Sequence, residues 1–415
     1  MSSTANPQPQ PRHGTDAAGG GPPAAPGTAD TRRTDLEALR VLAMATVFLA
    51  HCMQVFVPWV SWHIQNADRS EALGQIALFA WPWVMPLFML LAGAGASLSL
   101  GRRTDEQFGY ERTLRLLVPF VAGTLLLVPP QIYVERLAQA RFAGSFLEFY
   151  PTFFECCYPD GNLAAGHLWF IGYLWVYSIA SVPLLRTLSG ERGEPWRARV
   201  SAVCDRPAGV LWFAAPVVAT QLLLRGEFPQ SYAFFDDWAA HALLFLAFLY
   251  GCLSIAEPDL LGAVDRQWRV AIAPAAGASV WIALVVASAD RTDPLPATYD
   301  LRYLLFWTAF GVAAWSWIVV LIGAMRHWVR GRSRALHYAS RSVYGTYIIH
   351  QTVIVIAAYF VVRWNGAIAM KFAALVAISL AVTGALNELG RRWRATRLLL
   401  GWKVGPHMAD EGPVA

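Results

Sequence analysis

Ten apolar stretches, each close to the ~20 residues that an α-helix needs to cross a bilayer, constrain this chain more than any other feature. Only 15% of its residues are charged and 56% are apolar, whereas soluble domains carry about 25% charge. The sequence therefore predicts an all-α, polytopic integral membrane protein with about ten transmembrane helices. The stretches lie near 38–60, 73–100, 113–133, 165–188, 208–224, 238–256, 268–288, 301–325, 340–362 and 366–389.

The positions of lysine and arginine predict the orientation of these helices. If the N-terminus is cytoplasmic and the spans alternate, 25 of the 33 basic residues fall on the cytoplasmic side and 8 on the other. Cytoplasmic loops carry an excess of Lys and Arg, and one missed helix would invert every later loop. The sequence therefore predicts ten spans with both termini in the cytoplasm.

Composition divides the chain into three parts. Residues 1–31 are rich in Pro, Gly and Ala and have almost no large apolar side chain, so this tail is expected to be disordered. Residues 32–397 form the predicted ten-helix membrane domain, and residues 398–415 form a short cytoplasmic tail. Five cysteines without CxxC or Cys/His ligand spacing predict no metal site.

The first apolar stretch carries one arginine at its start and one histidine inside it. Arg40 and His51 are eleven positions apart, which places them within about 20° on a helix and ~16 Å apart along its axis. An ionisable residue within a span usually faces the bundle interior and has a function there. His51 is therefore a candidate base for a hydroxyl group; a histidine bonded to a neighbouring helix carbonyl is the structural alternative.

Two further arginines stand at the start of the third stretch. Arg112 and Arg115 are three positions apart, so a regular helix presents them on one face. Such a pair can bind an anionic group such as phosphate. Arginines at a cytoplasmic helix end are also what topology alone predicts, so both interpretations stay open.

Polar and aromatic residues also interrupt the fourth and ninth stretches. His167 and Trp169 lie at the predicted outer mouth, where they could contact a polar acceptor or belong to an interfacial aromatic belt. Tyr347 and His350 share one helix face and could bind an acceptor or join helices by hydrogen bonds.

Together these motifs resemble the membrane acyltransferase-3 family, which includes O-acetyltransferases and a glucan succinyltransferase. The resemblance rests on DLEALRVLAMATVFLAH with Arg40 and His51, on the RxxR pair Arg112 and Arg115, on HLWFIGYL, and on SVYGTYIIHQ. Their order and separation match the family over roughly residues 33–365.

The resemblance implies an O-acyltransferase in the plasma membrane that uses acyl-CoA as co-substrate and has no bound cofactor. It would move an acetyl or succinyl group from cytoplasmic acyl-CoA to a hydroxyl of an extracytoplasmic glycan or lipid-linked sugar. Arg40, Arg112 and Arg115 would bind the donor, and His51 would act as a base or as a covalent acyl carrier. Family members often carry an extracellular hydrolase-like domain after the last span. No such domain is evident after the last predicted span here, so the membrane part is expected to complete the transfer itself or with a partner.

Two other classes of function remain. A transporter of a small anionic or sugar substrate could use the same Arg and His residues, although the sequence shows no inverted repeat or paired interrupted helices. An accessory protein with vestigial catalytic residues would be expected to lack His51 or the arginine pair, and all three are present. The composition predicts the lipid bilayer as a partner and no nucleic acid.

Overall fold

The computed structural model describes residues 28–289, 295–331 and 333–402; for residues 28–33 it describes the backbone alone. The described residues form α-helices joined by short 3-10 turns, and they contain no strand. This confirms the all-α fold. The helices, in chain order, are α1 (Thr28–Gln54), α2 (Glu71–Ala80), α3 (Val84–Leu100), α4 (Asp105–Arg112), α5 (Val118–Leu126), α6 (Val128–Ala138), α7 (Phe146–Phe149), α8 (Trp169–Ala180), α9 (Val182–Ser189), α10 (Glu194–Cys204), α11 (Ala214–Leu224), α12 (Trp238–Ala256), α13 (Pro258–Gln267), α14 (Ile272–Ala287), α15 (Leu301–Trp328), α16 (Arg334–Val361), α17 (Ile368–Gly390) and α18 (Arg394–Leu399).

Seven of the helical segments are long and apolar enough to cross a membrane, or up to nine if each of two bent helix pairs counts as one span. The chain is thus a multi-pass membrane protein. The predicted stretch 208–224 corresponds to a shorter apolar helix, Gly209–Leu224. Every predicted stretch therefore coincides with helix, while the count of ten and the orientation of the termini stay predictions.

One of the two bent pairs lies within a predicted stretch, 165–188, and overturns the expectation of an uninterrupted helix there. Residues Gly166–Ala180 and Val182–Ser189 meet at 54°, and Pro258–Gln267 and Ile272–Ala287 meet at 79°. Proline explains the first bend, because Pro183 has no N–H to continue the hydrogen bonds of α8 into α9.

The domain boundaries are described only in part. Residues 1–27 and 403–415, which hold most of the two predicted tails, lie outside the described residues. Helix α1 begins at Thr28 and so takes in the last residues of the predicted N-terminal tail. At the other end of the chain, α18 packs against α5. Leu400, which follows α18, packs against the hydrophobic core of the bundle.

Close packing of α3 against α12 forms the centre of the bundle. The two helices cross at glycines, since a Cβ on Gly93 would overlap the carbonyl oxygen of Phe248 and a Cβ on Gly251 would overlap that of Leu90. Small residues allow helix backbones to approach in this way within membranes. A buried sulfhydryl of Cys252 also points at the Gly93 carbonyl, 3.2 Å away.

Polar contacts gather at the two ends of the bundle. At the end predicted to be cytoplasmic, Arg326 bonds Asp265 at 2.5 and 2.7 Å and lies 3.5 Å from Asp35. At the other end, a buried pair joins Arg225 to Asp237 at 2.9 Å. Within each of these contacts, the predicted topology places the linked residues on the same side of the membrane.

Candidate functional site

Two histidines from distant parts of the chain meet in the bundle interior. His51 of α1 and His350 of α16 place Nδ1 and Nε2 2.9 Å apart, across 299 residues of sequence. His350 is fully buried, whereas His51 is half-buried. The pairing confirms that His51 faces the bundle interior, and its partner is a second histidine rather than a helix carbonyl.

The hydrogen bonds assign the protons on both rings. His350 Nδ1 lies 2.7 Å from the carbonyl oxygen of Tyr347, which can only accept, so His350 carries its proton on Nδ1 and its Nε2 is an acceptor. His51 must then donate through Nδ1, which leaves its Nε2 unprotonated. Among the described residues that nitrogen has no hydrogen-bond partner, so it is free to take a proton from a substrate.

His167 is the third member of this group, and the name histidine cluster is used below for His51, His167 and His350. Its ring stands edge-on to His350 with centroids 5.2 Å apart. Nε2 lies 3.0 Å from the carbonyl oxygen of Ile348, and the hydroxyl of Tyr347 donates to the His167 carbonyl oxygen. One turn of α16 therefore holds both the backbone and the ring of His167.

The aromatic candidates divide between two places. Tyr347 is buried beside His350, as the shared helix face predicts. Trp169 instead stacks on Tyr232 at 4.3 Å and 7°, and it makes no ring contact with the histidine cluster in the part of the chain that is described. Trp62, which sequence analysis missed, stacks on His51 at 6.2 Å and 14°.

Sequence analysis also missed a buried charged group near the cluster. Glu135 accepts a hydrogen bond from His63 Nδ1, and its other oxygen lies 3.3 Å from Arg136. The side chains of Glu135 and Arg136 are 3% and 4% exposed. Two adjacent ionisable residues at the end of an apolar stretch were a usable signal, but neither was predicted as a site residue.

This group connects to the histidine cluster through α16. The amide nitrogen of Gln351, the residue after His350, lies 3.2 Å from His63 Nε2 and 3.1 Å from the amide oxygen of Gln131. Tyr158, in the loop between α7 and α8, contacts His63 and Arg136 of the same group. Burial, together with the Glu135 carboxylate, raises the pKa of Tyr158 to about 12, so the phenol stays a hydrogen-bond donor.

The three candidate arginines come together at the other end of α1. Arg115 acts electrostatically on both Arg40 and Arg112, and the three are called the arginine cluster below. Arg40 and Arg115 are exposed and Arg112 is half-buried. No carboxylate within the described residues lies at ion-pair distance from Arg112 or Arg115, so their charges are open to an anionic ligand.

The local backbone at Arg115 differs from the expected regular helix. Thr113–Leu117 form a single π-helical turn, so the α-helical spacing assumed for Arg112 and Arg115 is wrong there. Such wide turns are frequent at functional sites. The turn is held by the Tyr344 hydroxyl, 2.6 Å from the Arg115 carbonyl oxygen, and Arg112 reaches the Gly95 carbonyl at 3.3 Å.

No group of three or more His, Cys, Asp or Glu side chains that could hold a metal ion occurs within the described ranges. Within the histidine cluster, both ring nitrogens of His350 are already hydrogen-bonded, so at most two of the three rings offer a free nitrogen.

Comparison with known proteins gives one match. A family model described as an acyltransferase domain matches residues 33–388, nearly the whole described chain. The match spans the histidine cluster and the arginine cluster. Neither the curated proteins nor the solved structures contain a significant match.

Proposed function

Because the chain belongs to the acyltransferase-3 family, and is thus a membrane acyltransferase, we propose that it transfers an acetyl or succinyl group from cytoplasmic acyl-CoA. The proposed acceptor is a hydroxyl of an extracytoplasmic glycan or lipid-linked sugar, and the proposed location is the plasma membrane. The observation that carries this proposal is the His51–His350 pair, which leaves an unprotonated nitrogen inside a membrane bundle.

The arginine cluster is the proposed binding site for the phosphates of CoA. Arg115 repels both Arg40 and Arg112, and a polyanion relieves that repulsion while it gains charge-assisted hydrogen bonds. Arg40 and His51 lie on one face of α1, ~16 Å apart along its axis. The extended pantetheine arm would bridge this distance and bring the thioester to the histidine cluster.

At the histidine cluster, His51 Nε2 is the proposed general base. It takes the proton of the acceptor hydroxyl as the oxygen attacks the thioester carbonyl. The carbon–sulfur bond then breaks, and the CoA thiolate takes that proton from His51, so the reaction releases no net proton. His350 holds His51 in the required tautomer and accepts the Nδ1 hydrogen bond when His51 is charged.

The test uses the purified protein in lipid vesicles with radiolabelled acetyl-CoA or succinyl-CoA, and membranes of the native host as the acceptor source. His51→Asn keeps a side-chain amide that can donate to His350 and removes Nε2. It should lower transfer by about 10²- to 10⁴-fold, the usual contribution of a general base. His327→Asn, on α15 and outside the cluster, is the control. Transfer at the wild-type rate by His51→Asn would refute the role of His51.

A covalent route through the same nitrogen has a separate signature. If His51 carries the acyl group, labelled acyl-CoA without acceptor should leave label on the protein and release CoA in a burst. Direct transfer predicts neither label on the protein nor a burst of CoA release. The result decides between base and carrier without any change to the proposed substrates.

One observation favours a transporter as the second candidate function. Bent helix pairs such as Gly166–Ala180 with Val182–Ser189 are typical of transporter substrate sites. Vesicle uptake of unmodified substrate without release of free CoA would support this function, whereas CoA release coupled to acylation supports the transferase.

A further inference from the structure

The end of the described chain returns to the turn that carries Arg115. After α18, Gly401 has a φ of +65°, a backbone conformation that glycine adopts more readily than other residues. A Cβ at Gly401 would overlap the ring of Tyr344 and would lie 2.9 Å from the carbonyl oxygen of Arg115. Gly401 therefore packs directly on the Arg115 turn. Residues 400–402 are called the C-terminal segment below.

The carbonyl oxygen of Arg115 needs a partner from outside its own helix. In a regular α-helix this oxygen accepts from the N–H four residues later, but that residue is Pro119, which has no N–H. The hydroxyl of Tyr344 on α16 supplies the hydrogen bond instead, at 2.6 Å. The orientation of the Arg115 carbonyl thus depends on where the Tyr344 ring stands, and Gly401 packs against that ring.

Trp402 fixes the C-terminal segment to the bundle. The guanidinium of Arg391 stacks on the indole ring at 4.1 Å. A Cβ at Gly345 would lie 3.0 Å from Trp402 Nε1 and would overlap Asn387 Oδ1, so a donor and an acceptor are buried at one point. Neither atom has a hydrogen-bond partner in the part of the chain that is described, although buried polar atoms are rarely unpaired. A small shift of Trp402 toward Asn387 would give the segment this hydrogen bond.

We propose that the C-terminal segment is a positioning element of the donor site. Gly401 holds the Tyr344 ring, and Tyr344 holds the Arg115 carbonyl. The turn that is fixed in this way keeps Arg115 beside the other two arginines of the cluster. The ligand that depends on this arrangement is the phosphate-bearing donor, acyl-CoA. The inference rests on the proposed function and adds residues beyond the last predicted span to its donor site.

Gly401→Ala tests the contact, and Gly331→Ala is its matched control. Both glycines have a positive φ, +65° and +81°, so alanine strains the backbone at both positions. At Gly331, however, a Cβ meets no atom within 4 Å. The Kd for radiolabelled acetyl-CoA is measured on the purified protein in lipid vesicles without acceptor. We expect Gly401→Ala to raise this Kd on the order of tenfold, as for one lost hydrogen bond to a charged ligand, and Gly331→Ala to leave it unchanged.

A double-mutant cycle separates positioning from a general loss of stability. Tyr344→Phe removes the hydroxyl that bonds the Arg115 carbonyl, and it should raise the Kd by a similar factor. If Gly401 acts through that bond, the variant with both substitutions should bind about as weakly as the weaker single variant. Kd factors that multiply would overturn the inference. An unchanged Kd in Gly401→Ala, with or without a lower melting temperature or a lower kcat, would overturn it as well.

A second measurement needs no variant and holds even if Gly401→Ala fails to fold. Hydrogen exchange of the wild-type protein is followed by mass spectrometry with and without CoA. We expect the amides of residues 113–117 and 398–402 to become protected together, because the donor fixes the turn and the segment packed on it. Protection of the turn alone would overturn the inference and leave the proposed function intact. No binding of CoA or acetyl-CoA to the wild-type protein would remove the proposed function, and this inference with it.

Discussion

The histidine cluster and the arginine cluster are built in opposite ways, although α1 contributes to both. In the histidine cluster each ring is held by at least one hydrogen bond from another helix or from α16 itself. In the arginine cluster the positive charges lie close together, exposed or half-buried, and no carboxylate within the described ranges pairs with Arg112 or Arg115.

This difference indicates two different tasks. A group that moves a proton must be held in one tautomer and orientation before the substrate arrives. A group that binds a polyanion gains most when its charges are unpaired until the ligand neutralises them. Helix α16 connects the two clusters, because Tyr344 holds the turn at Arg115 and His350 holds His51.

Removal of the partner of His51 should have the largest effect on turnover. His350→Leu leaves His51 without its tautomer-fixing acceptor, and we expect kcat to fall by about 10²- to 10³-fold, within the range for loss of base catalysis. His350→Gln can present an amide oxygen to His51 and should recover most of that loss. Equal damage by both variants would show that His350 acts through packing alone.

The arginine cluster should respond in affinity and not in turnover. Arg112→Ala removes hydrogen bonds to a charged ligand worth about 1.5–3 kcal/mol, or about 10- to 150-fold in the KM for acyl-CoA. Arg266→Ala, an exposed arginine of α13, is the matched control. A loss of kcat with unchanged KM would contradict donor binding at this cluster.

The helix crossing beneath Arg112 offers a paired test of stability. Gly93→Ala places a methyl group against the Phe248 carbonyl, whereas Gly95→Ala meets no atom within 4 Å. We expect Gly93→Ala to cost about 1–3 kcal/mol of unfolding free energy through overpacking. Gly95→Ala should be neutral or slightly stabilising, since alanine is the better helix former. Thermal unfolding in detergent compares the two, and similar melting temperatures would refute the close crossing.

Tyr158→Phe should have the smallest effect. It removes the hydroxyl group of one phenol beside Glu135, and the loss of one hydrogen bond costs about 1 kcal/mol. The expected change is a rise of a few-fold in acceptor KM at constant acyl-CoA KM. A large fall in kcat would mean that Tyr158 or its neighbour Glu135 takes part in the chemistry.

The sequence predicted those features that local patterns encode. Apolar length predicted the helices, and the eleven-residue spacing predicted that Arg40 and His51 share one face of α1. It could not give the contact between His51 and His350, because 299 residues separate them and only tertiary packing unites them. Nor could it give the π-helical turn at Arg115, since hydrophobic periodicity does not distinguish a single wide turn from a regular one.

Bends and loop contacts could not be predicted from the sequence, for related reasons. The apolar stretch 165–188 is predicted as a single span, because hydropathy records length but not direction. The pair His63–Glu135 joins a loop residue to a helix 72 positions away, and neither residue stands in a recognisable motif. The long-range polar partners thus emerged only from the structure.

Ligand-dependent thermal unfolding tests most directly whether acyl-CoA binds at the arginine cluster. A ligand that binds only the native state at a hundredfold excess over its Kd stabilises it by about 2.7 kcal/mol. CoA, acetyl-CoA and succinyl-CoA are compared on the wild-type protein, Arg115→Ala and His51→Asn. We expect a rise in melting temperature that Arg115→Ala abolishes and His51→Asn retains. No rise with any CoA species, or an equal rise in Arg115→Ala, would contradict it.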